Sequence, residues 1–297
     1  RNGLKFIAQY LLDRSSSSNM SCSCGSCPVD LKSYGCCVID KVAQQMSRGG
    51  RDYSSKDYWD DRYLSEEKGH VWYFSYETLQ PLLHAIVPAP CDDNGWSVLE
   101  IGCGDRPLLP DLIQDEHFAG KTHAVAIDYA PTLVRQLRRD ERERLMDAGE
   151  TSGVTYAQAD ARSLDYSSGS FDLVLDKGTI DAMMCSDSEG VENAKRICAE
   201  ASRILKVGGC FVVVSHMAPT MHEGSTFVNE SLMPALHSQP ASSGLFEVGV
   251  HFSEEAAETG PFVYTIKKSA RKITRSTKRT KTAGGISAEI PLKLHEY

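Results

Sequence analysis

The chain reads as a three-layer α/β/α sandwich around a mainly parallel sheet that ends in an antiparallel hairpin. Short apolar runs alternate with helix-length segments from residue 96 to residue 216, and two more strand-like runs then follow with no helix between them. The runs also tend to end in glycine or an acid, and open α/β sheets bind ligands at the carboxyl ends of their strands.

The elements follow in order. "DYWDDRYLSEE" carries aromatics at 58, 59 and 63, and "HVWYFSYETLQPLLHAIV" has the spacing of an amphipathic helix ended by Pro88. "WSVLEIGCG" (96–104) is a buried strand running into a glycine turn, and "PLLPDLIQDEHF" is a short helix after it. "THAVAIDYA" (122–130) is the second strand. The charged helix "PTLVRQLRRDERERLMDAG" then has Pro at its start and Gly past its end. "VTYAQADA" (154–161) and "FDLVLDKG" (171–178) are strands three and four, a helix spans about 189–206, and "CFVVVSH" (210–216) is the fifth strand. "LFEVGVHF" and "PFVYTIKK" complete a seven-stranded sheet.

With 297 residues, 41% hydrophobic and 24% charged, the chain has the composition of a soluble globular protein and can bury a sizeable core. No apolar stretch approaches the ~18–20 residues of a membrane span, so no membrane partner is expected. We expect a Ser- and Cys-rich disordered lead-in over 1–50, one domain over 51–266 and a basic flexible tail over 267–297. Eight of the positive residues fall between Lys267 and Lys281 with no acid among them, and removing them takes the net charge from −8 to −16. An acidic body argues against nucleic acid as the main partner and suits a basic protein surface.

The cysteines divide into two groups. Cys22, Cys24, Cys27, Cys36 and Cys37 read C-x-C-x-x-C and then a pair, with no nearby His. That is a poor match to the two spaced ligand pairs of a structural zinc, and no metal site is expected. Cys91, Cys103, Cys185, Cys198 and Cys210 are scattered, as reduced thiols of a cytoplasmic core would be. Residues 1–20, basic and serine-containing, keep a mitochondrial transit segment as the alternative address.

Four strand ends carry chemistry. In Glu100-Ile-Gly102-Cys-Gly104 the glycines let the backbone approach a ligand, and Glu100 can order the turn or accept from a ligand amine. A dinucleotide site would continue to a third glycine, and here that continuation is missing. Asp128 can accept both hydroxyls of a ribose with Tyr129 packing on a purine, or it can be a helix cap before Pro131. Asp160 can accept from an exocyclic adenine amine beside the small Ala161, or serve as a turn residue. Jointly these residues form a crevice that reads an adenosyl group without a phosphate cradle, which suits S-adenosylmethionine better than NAD or ATP. Asp176 and Lys177, behind the apolar run of strand four, then meet the charges of its methionine half. Asp176 faces positive charge and is the candidate catalytic residue, while Lys177 reaches the carboxylate or caps a loop.

With "DYWDDRY" (57–63), "VLEIGCGDRPL" (98–108), "FDLVLDKGTIDAM" (171–183) and "ILKVGG" (204–209) in view, the chain resembles the class I, Rossmann-like S-adenosylmethionine-dependent methyltransferases. More narrowly it resembles the methyltransferase-like protein-lysine enzymes that include elongation factor 1-alpha and citrate synthase lysine methyltransferases. The resemblance covers about 55–266. It implies S-adenosylmethionine as cofactor, a protein substrate such as a translation factor or metabolic enzyme, and closure of Trp59, Tyr63 and Tyr73 over the cofactor. By motif position the remaining contacts would be Gly102, Asp128, Tyr129, Asp160, Ala161 and Lys177. Asp105-Arg106 replaces the usual Asn-Ser, Val207-Gly208-Gly209 replaces a Pro-Gly-Gly, and the insert 217–245 has no match in the family pattern.

Overall fold

The computed structural model describes residues 52–64, 72–89, 95–118, 122–150, 153–186, 188–240, 244–252, 261–270 and 292–296. The amino-terminal cysteine group and most of the basic stretch lie outside them. Two helices, α1 (Lys56–Leu64) and α2 (Tyr76–Ile86), precede the sheet. The alternating region supplies β1 (Trp96–Ile101), α3 (Leu109–Leu112), β2 (Thr122–Asp128), α4 (Pro131–Ala148), β3 (Thr155–Gln158), β4 (Phe171–Lys177), α5 (Thr179–Met184), α6 (Gly190–Ile204) and β5 (Leu205–Ser215). The unmatched insert folds as α7 (His222–Thr226), a π-helical turn (Phe227–Leu232) and α8 (Met233–His237). The sheet closes with β6 (Leu245–Phe252), β7 (Phe262–Ser269) and β8 (Leu292–Glu296).

The strand order is β3-β2-β1-β4-β5-β7-β6-β8. Strands β1 to β5 are parallel and β7 lies antiparallel to both β5 and β6, so the seven expected strands pair as expected. Two features depart from the expectation. β7 runs on through Lys267, Lys268 and Ser269, past the expected domain edge at 266, and β8 adds an eighth strand parallel to β6. Lys268 belongs to the core because its ammonium donates to the carbonyls of Ser202 and Leu205 at the end of α6, at 2.8 and 2.6 Å. That placement satisfies orphan helix-end acceptors.

Period-2 alternation sorts each strand between two cores. Leu99, Ile101, Val174, Phe211 and Val213 face α5, α6 and the insert. Val98, Leu173, Leu175, Val212 and Val214 face α2 and α3. A smaller cluster of Tyr53, Trp59, Ala130 and Leu133 ties α1 to α4. Burial of strands on both faces explains why they read as continuous apolar runs. Helix α2 starts later than its pattern suggests, at Tyr76, because Tyr73 takes a left-handed backbone (φ 61°). Among the described residues no helix is long and apolar enough to cross a membrane.

Candidate active site

At the carboxyl ends of β1, β2 and β4 lies a cleft of about 930 Å³, counting its open mouth. Strand order turns between β1 and β4, so the loops after these strands leave the sheet in opposite directions and a crevice opens between them.

Tyr53, Trp59, Tyr63, Trp72 and Tyr73 form an aromatic wall on one side of the cleft. Trp59 stacks on Tyr63 with ring centroids 5.9 Å apart, and its indole N–H donates to the Tyr53 carbonyl at 2.7 Å. Such a wall suits a flat ring or an organic cation, each of which is attracted to aromatic faces. Tyr53 and Trp72 escaped the sequence reading. Trp72, next to the recognised Tyr73, was the more legible of the two.

Across the cleft is the glycine turn. Gly104, at φ +60°, faces it, and a Cβ there would lie 3.5 Å from the Tyr63 hydroxyl. Gly102 also lines the cleft and serves a second purpose. A Cβ there would collide with the Thr179 side chain, whose hydroxyl donates to the Ile101 carbonyl at 3.1 Å. Glu100 is buried and orders the turn, accepting from the amides of Leu108 (2.9 Å) and Leu109 (3.2 Å). Burial lifts its carboxyl to about 7, against the opposing pull of Lys177 and those two amides. Glu100 is not among the residues lining the cleft.

Asp128, 5% exposed, does line it. One carboxylate oxygen accepts from the Ala130 amide (3.0 Å) and the other from Gly104 (3.2 Å), so the cap and the glycine turn share one side chain. Burial pushes its carboxyl up to about 6, moderated by the amides of Ala130, Gly104 and Tyr129. A carboxylate has about four lone-pair sites, so acceptor capacity is left beside these amides. Tyr129, Asp160 and Ala161 also line the cleft. Asp160 ion-pairs with Arg162 at 2.8 Å and accepts its amide at 2.9 Å, so the turn reading holds for it alongside its place in the cleft.

Alternation along β4 separates the Asp176–Lys177 pair. Lys177 lies on the side of Glu100 and lines the cleft. Asp176, 1% exposed, turns toward α6, accepts weakly from the Ile180 amide (3.4 Å) and is not among the lining residues. Burial, reinforced by neighbouring Asp181, pushes its carboxyl well above the usual range.

The acid that does reach the cleft is Asp181, 3% exposed, one turn into α5. Its Oδ1 accepts from the Ser215 hydroxyl at 2.7 Å and lies 3.3 Å from His216 Nδ1. Its Oδ2 has no hydrogen-bond partner among the described residues. A buried acceptor left open at a cleft marks where a ligand donor fits. His216 Nδ1 is also 2.9 Å from the Tyr73 hydroxyl. Gly178 makes room for that tyrosine, because a Cβ there would stand 3.1 Å from Cε2 of its ring. Ser215 and His216 gave no sequence signal, since they close the fifth strand like ordinary turn residues.

These residues fit S-adenosylmethionine. A buried acid with acceptor capacity left suits a ribose, an open Gly104 admits close approach, and the aromatic wall suits an adenine or a sulfonium. Among the described cleft residues no glycine-rich phosphate cradle appears. Comparison with known proteins agrees. A family model described as a methyltransferase domain matches residues 99–213. EEF1A lysine methyltransferase 4 of Mus musculus is 29% identical over 176 residues, covering 56% of this chain and 63% of that protein. The eEF1A lysine and N-terminal methyltransferase of Danio rerio is 34% identical over 171 residues, covering 57% of this chain and 22% of that protein. Protein-lysine N-methyltransferase EFM4 of Saccharomyces cerevisiae is 30% identical over 177 residues, covering 54% of this chain and 74% of that protein. The chain therefore spans less than two thirds of the length of the mouse and zebrafish relatives.

Proposed function

Because the chain belongs to the class I S-adenosylmethionine-dependent methyltransferases, in their protein-lysine group, we propose that it transfers a methyl group to a lysine amine of a protein. The substrate class we favour is a translation elongation factor, the class named for its mouse and zebrafish relatives. The observation that carries this reading is that, among the described residues, the insert does not close over the cleft. The described part of the insert packs away from it against α6, with the Ser231 hydroxyl donating to the Val191 carbonyl and the Gln239 amide to that of Ala199. No described residue of the insert lines the cleft. A small-molecule enzyme needs a closed pocket around its substrate, whereas a lysine side chain arrives from outside on a protein surface.

When bound, the cofactor supplies an electrophilic methyl carbon. We assign Asp128 to its ribose hydroxyls, Gly102 and Gly104 to backbone approach, and Tyr129, Asp160 and Ala161 to its base. Trp59, Tyr63 and Tyr73 close the aromatic side, with Lys177 near its carboxylate and Glu100 acting from behind by holding the turn. The chain's own task is to align an incoming amine with that carbon and to exclude water. A cytoplasmic location belongs to the same reading, and the buried thiols of Cys103, Cys198 and Cys210, none in a disulfide, suit a reducing compartment.

The test is incubation with isotopically labelled cofactor and purified elongation factor 1-alpha, followed by mass spectrometry of the labelled residue. Label on a lysine is the expected result. Label confined to small molecules in a whole-cell extract sinks the reading.

A further inference from the structure

Tyr73 and Asp181, both lining the cleft, meet at His216, which does not line it, and nothing in the cofactor reading requires that contact. Tyr73 is the one non-glycine residue with positive φ among the described residues, and that strained backbone aims its ring between the cleft and β5. His216 Nδ1 meets both a hydroxyl, 2.9 Å away on Tyr73, and a carboxylate oxygen, 3.3 Å away on Asp181. A neutral imidazole accepts there from Tyr73, and a protonated one donates there to Asp181. One nitrogen is therefore provided for in both protonation states.

We propose that Tyr73 and His216 form the proton exit for the substrate amine, with Asp181 Oδ2 as the site that receives the ammonium. The inference rests on the lysine reading above. A free lysine has a pKa of about 10.4, so at pH 7 only about one amine in 2,500 is neutral and nucleophilic. In the relay the ammonium gives a proton to the Tyr73 oxygen as the Tyr73 proton passes to His216 Nδ1. The neutral amine then attacks the methyl carbon, the carbon–sulfur bond breaks, and the sulfonium becomes a neutral thioether. The imidazolium, held by Asp181, returns its proton to solvent through its other nitrogen, and its side chain is 27% exposed. Tyr73 touches the cleft, whereas His216 acts through it and is a positioning and proton-accepting residue.

Charges facing His216 favour this role. Burial alone would lower its pKa, but hydrogen bonding and charge from Asp181 on α5, with Glu223 on α7, raise it above the ordinary value. Proton acceptors work best with a pKa near the operating pH.

The relay is tested in two ways. Histidine NMR of the full chain without cofactor should place the His216 titration above 6.5 and move it down in Asp181→Asn; titration at or below 6.5, unmoved by that change, overturns the proposal. Single-turnover lysine methylation by the wild-type chain should rise with pH and level off above the His216 pKa. In His216→Gln and Tyr73→Phe the rate at pH 7 should fall about a hundredfold and keep rising to pH 9, because only hydroxide then removes the proton. A cooperative thermal unfolding transition within a few degrees of wild type verifies that the variants are folded. Wild-type rate and pH profile in His216→Gln sink the relay and leave the lysine reading standing, whereas absence of lysine label from the wild-type chain sinks both.

Discussion

Asp115 and Asp181 are both buried carboxylates, and the protein treats them in opposite ways. Asp115, before β2, accepts at Oδ2 from the Tyr76 hydroxyl, the Gln80 amide and the His84 ring, all within 2.8 Å, and at Oδ1 from the His117 amide. Burial alone would raise its carboxyl, but the hydrogen bonds from Tyr76, Gln80 and His84 outweigh it and hold Asp115 well below the usual range. It fastens α2 to the approach to β2. Asp181 sits at the cleft with Oδ1 occupied by Ser215 and Oδ2 open. A saturated carboxylate serves the fold, while one that lines a cleft with an unpartnered oxygen is the candidate to serve a ligand.

Substitutions break the comparison most directly at these two residues. Asp181→Asn should cost about a hundredfold in turnover, a typical loss for proton-transfer groups. It should leave the urea midpoint nearly unchanged because Ser215 keeps its acceptor. Asp115→Ala should do the reverse, destabilising the fold by about 3 kcal/mol through stranded donors, with cofactor affinity intact. Asp115 also has a pH signature. Its folded pKa is depressed, so its contribution is present above the unfolded value of about 3.9 and is lost as pH falls toward the folded one. The acid limb of the wild-type stability curve, read by denaturation below pH 4, should flatten in that variant.

Gly178→Ala tests the cleft side through its backbone. The left-handed φ of +84° and the 3.1 Å approach to Tyr73 should together cost about 1–2 kcal/mol in thermal denaturation. Turnover should drop as well, because Tyr73 is displaced. Cofactor affinity should weaken about fourfold between pH 7.5 and 5.5, as Asp128 protonates around 6 and loses acceptor strength for hydroxyl donors. Calorimetry at the two pH values reads this directly, and a flat response removes Asp128 from the ribose. The smallest effect is expected at Asp176→Asn. Burial favours the uncharged form of its carboxyl, which is turned away from the cleft, so turnover should change by less than about twofold. A large loss there would return the catalytic role to Asp176 and undo the assignment to Asp181.

The strands, the glycine turn and the acids at the strand ends were legible because each rests on a local pattern. Apolar runs on doubly covered strands cannot be mistaken for surface, and a hairpin pair without an intervening helix must be antiparallel. β8 was missed because its pairing with β6 depends on a partner more than forty residues away. Asp176 and Lys177 illustrate the same limit inside the site. Adjacent in sequence, they look like one charged pair, yet the pleat sends Lys177 toward Glu100 and Asp176 toward α6. His216 and Ser215 carry no motif, and they matter only because β5 lies beside β4 and brings them to Asp181.

The sequence by itself determined the class of sheet, the end at which the cleft opens and the residues after β2 and β3 that line it, since period, turn chemistry and strand-end acids act over a few residues. Tertiary structure alone decided which acid faces the cleft, where the insert packs and which histidine meets Tyr73. Those outcomes depend on strand pleat and strand order, which bring residues as distant as 73, 181 and 216 within hydrogen-bond reach.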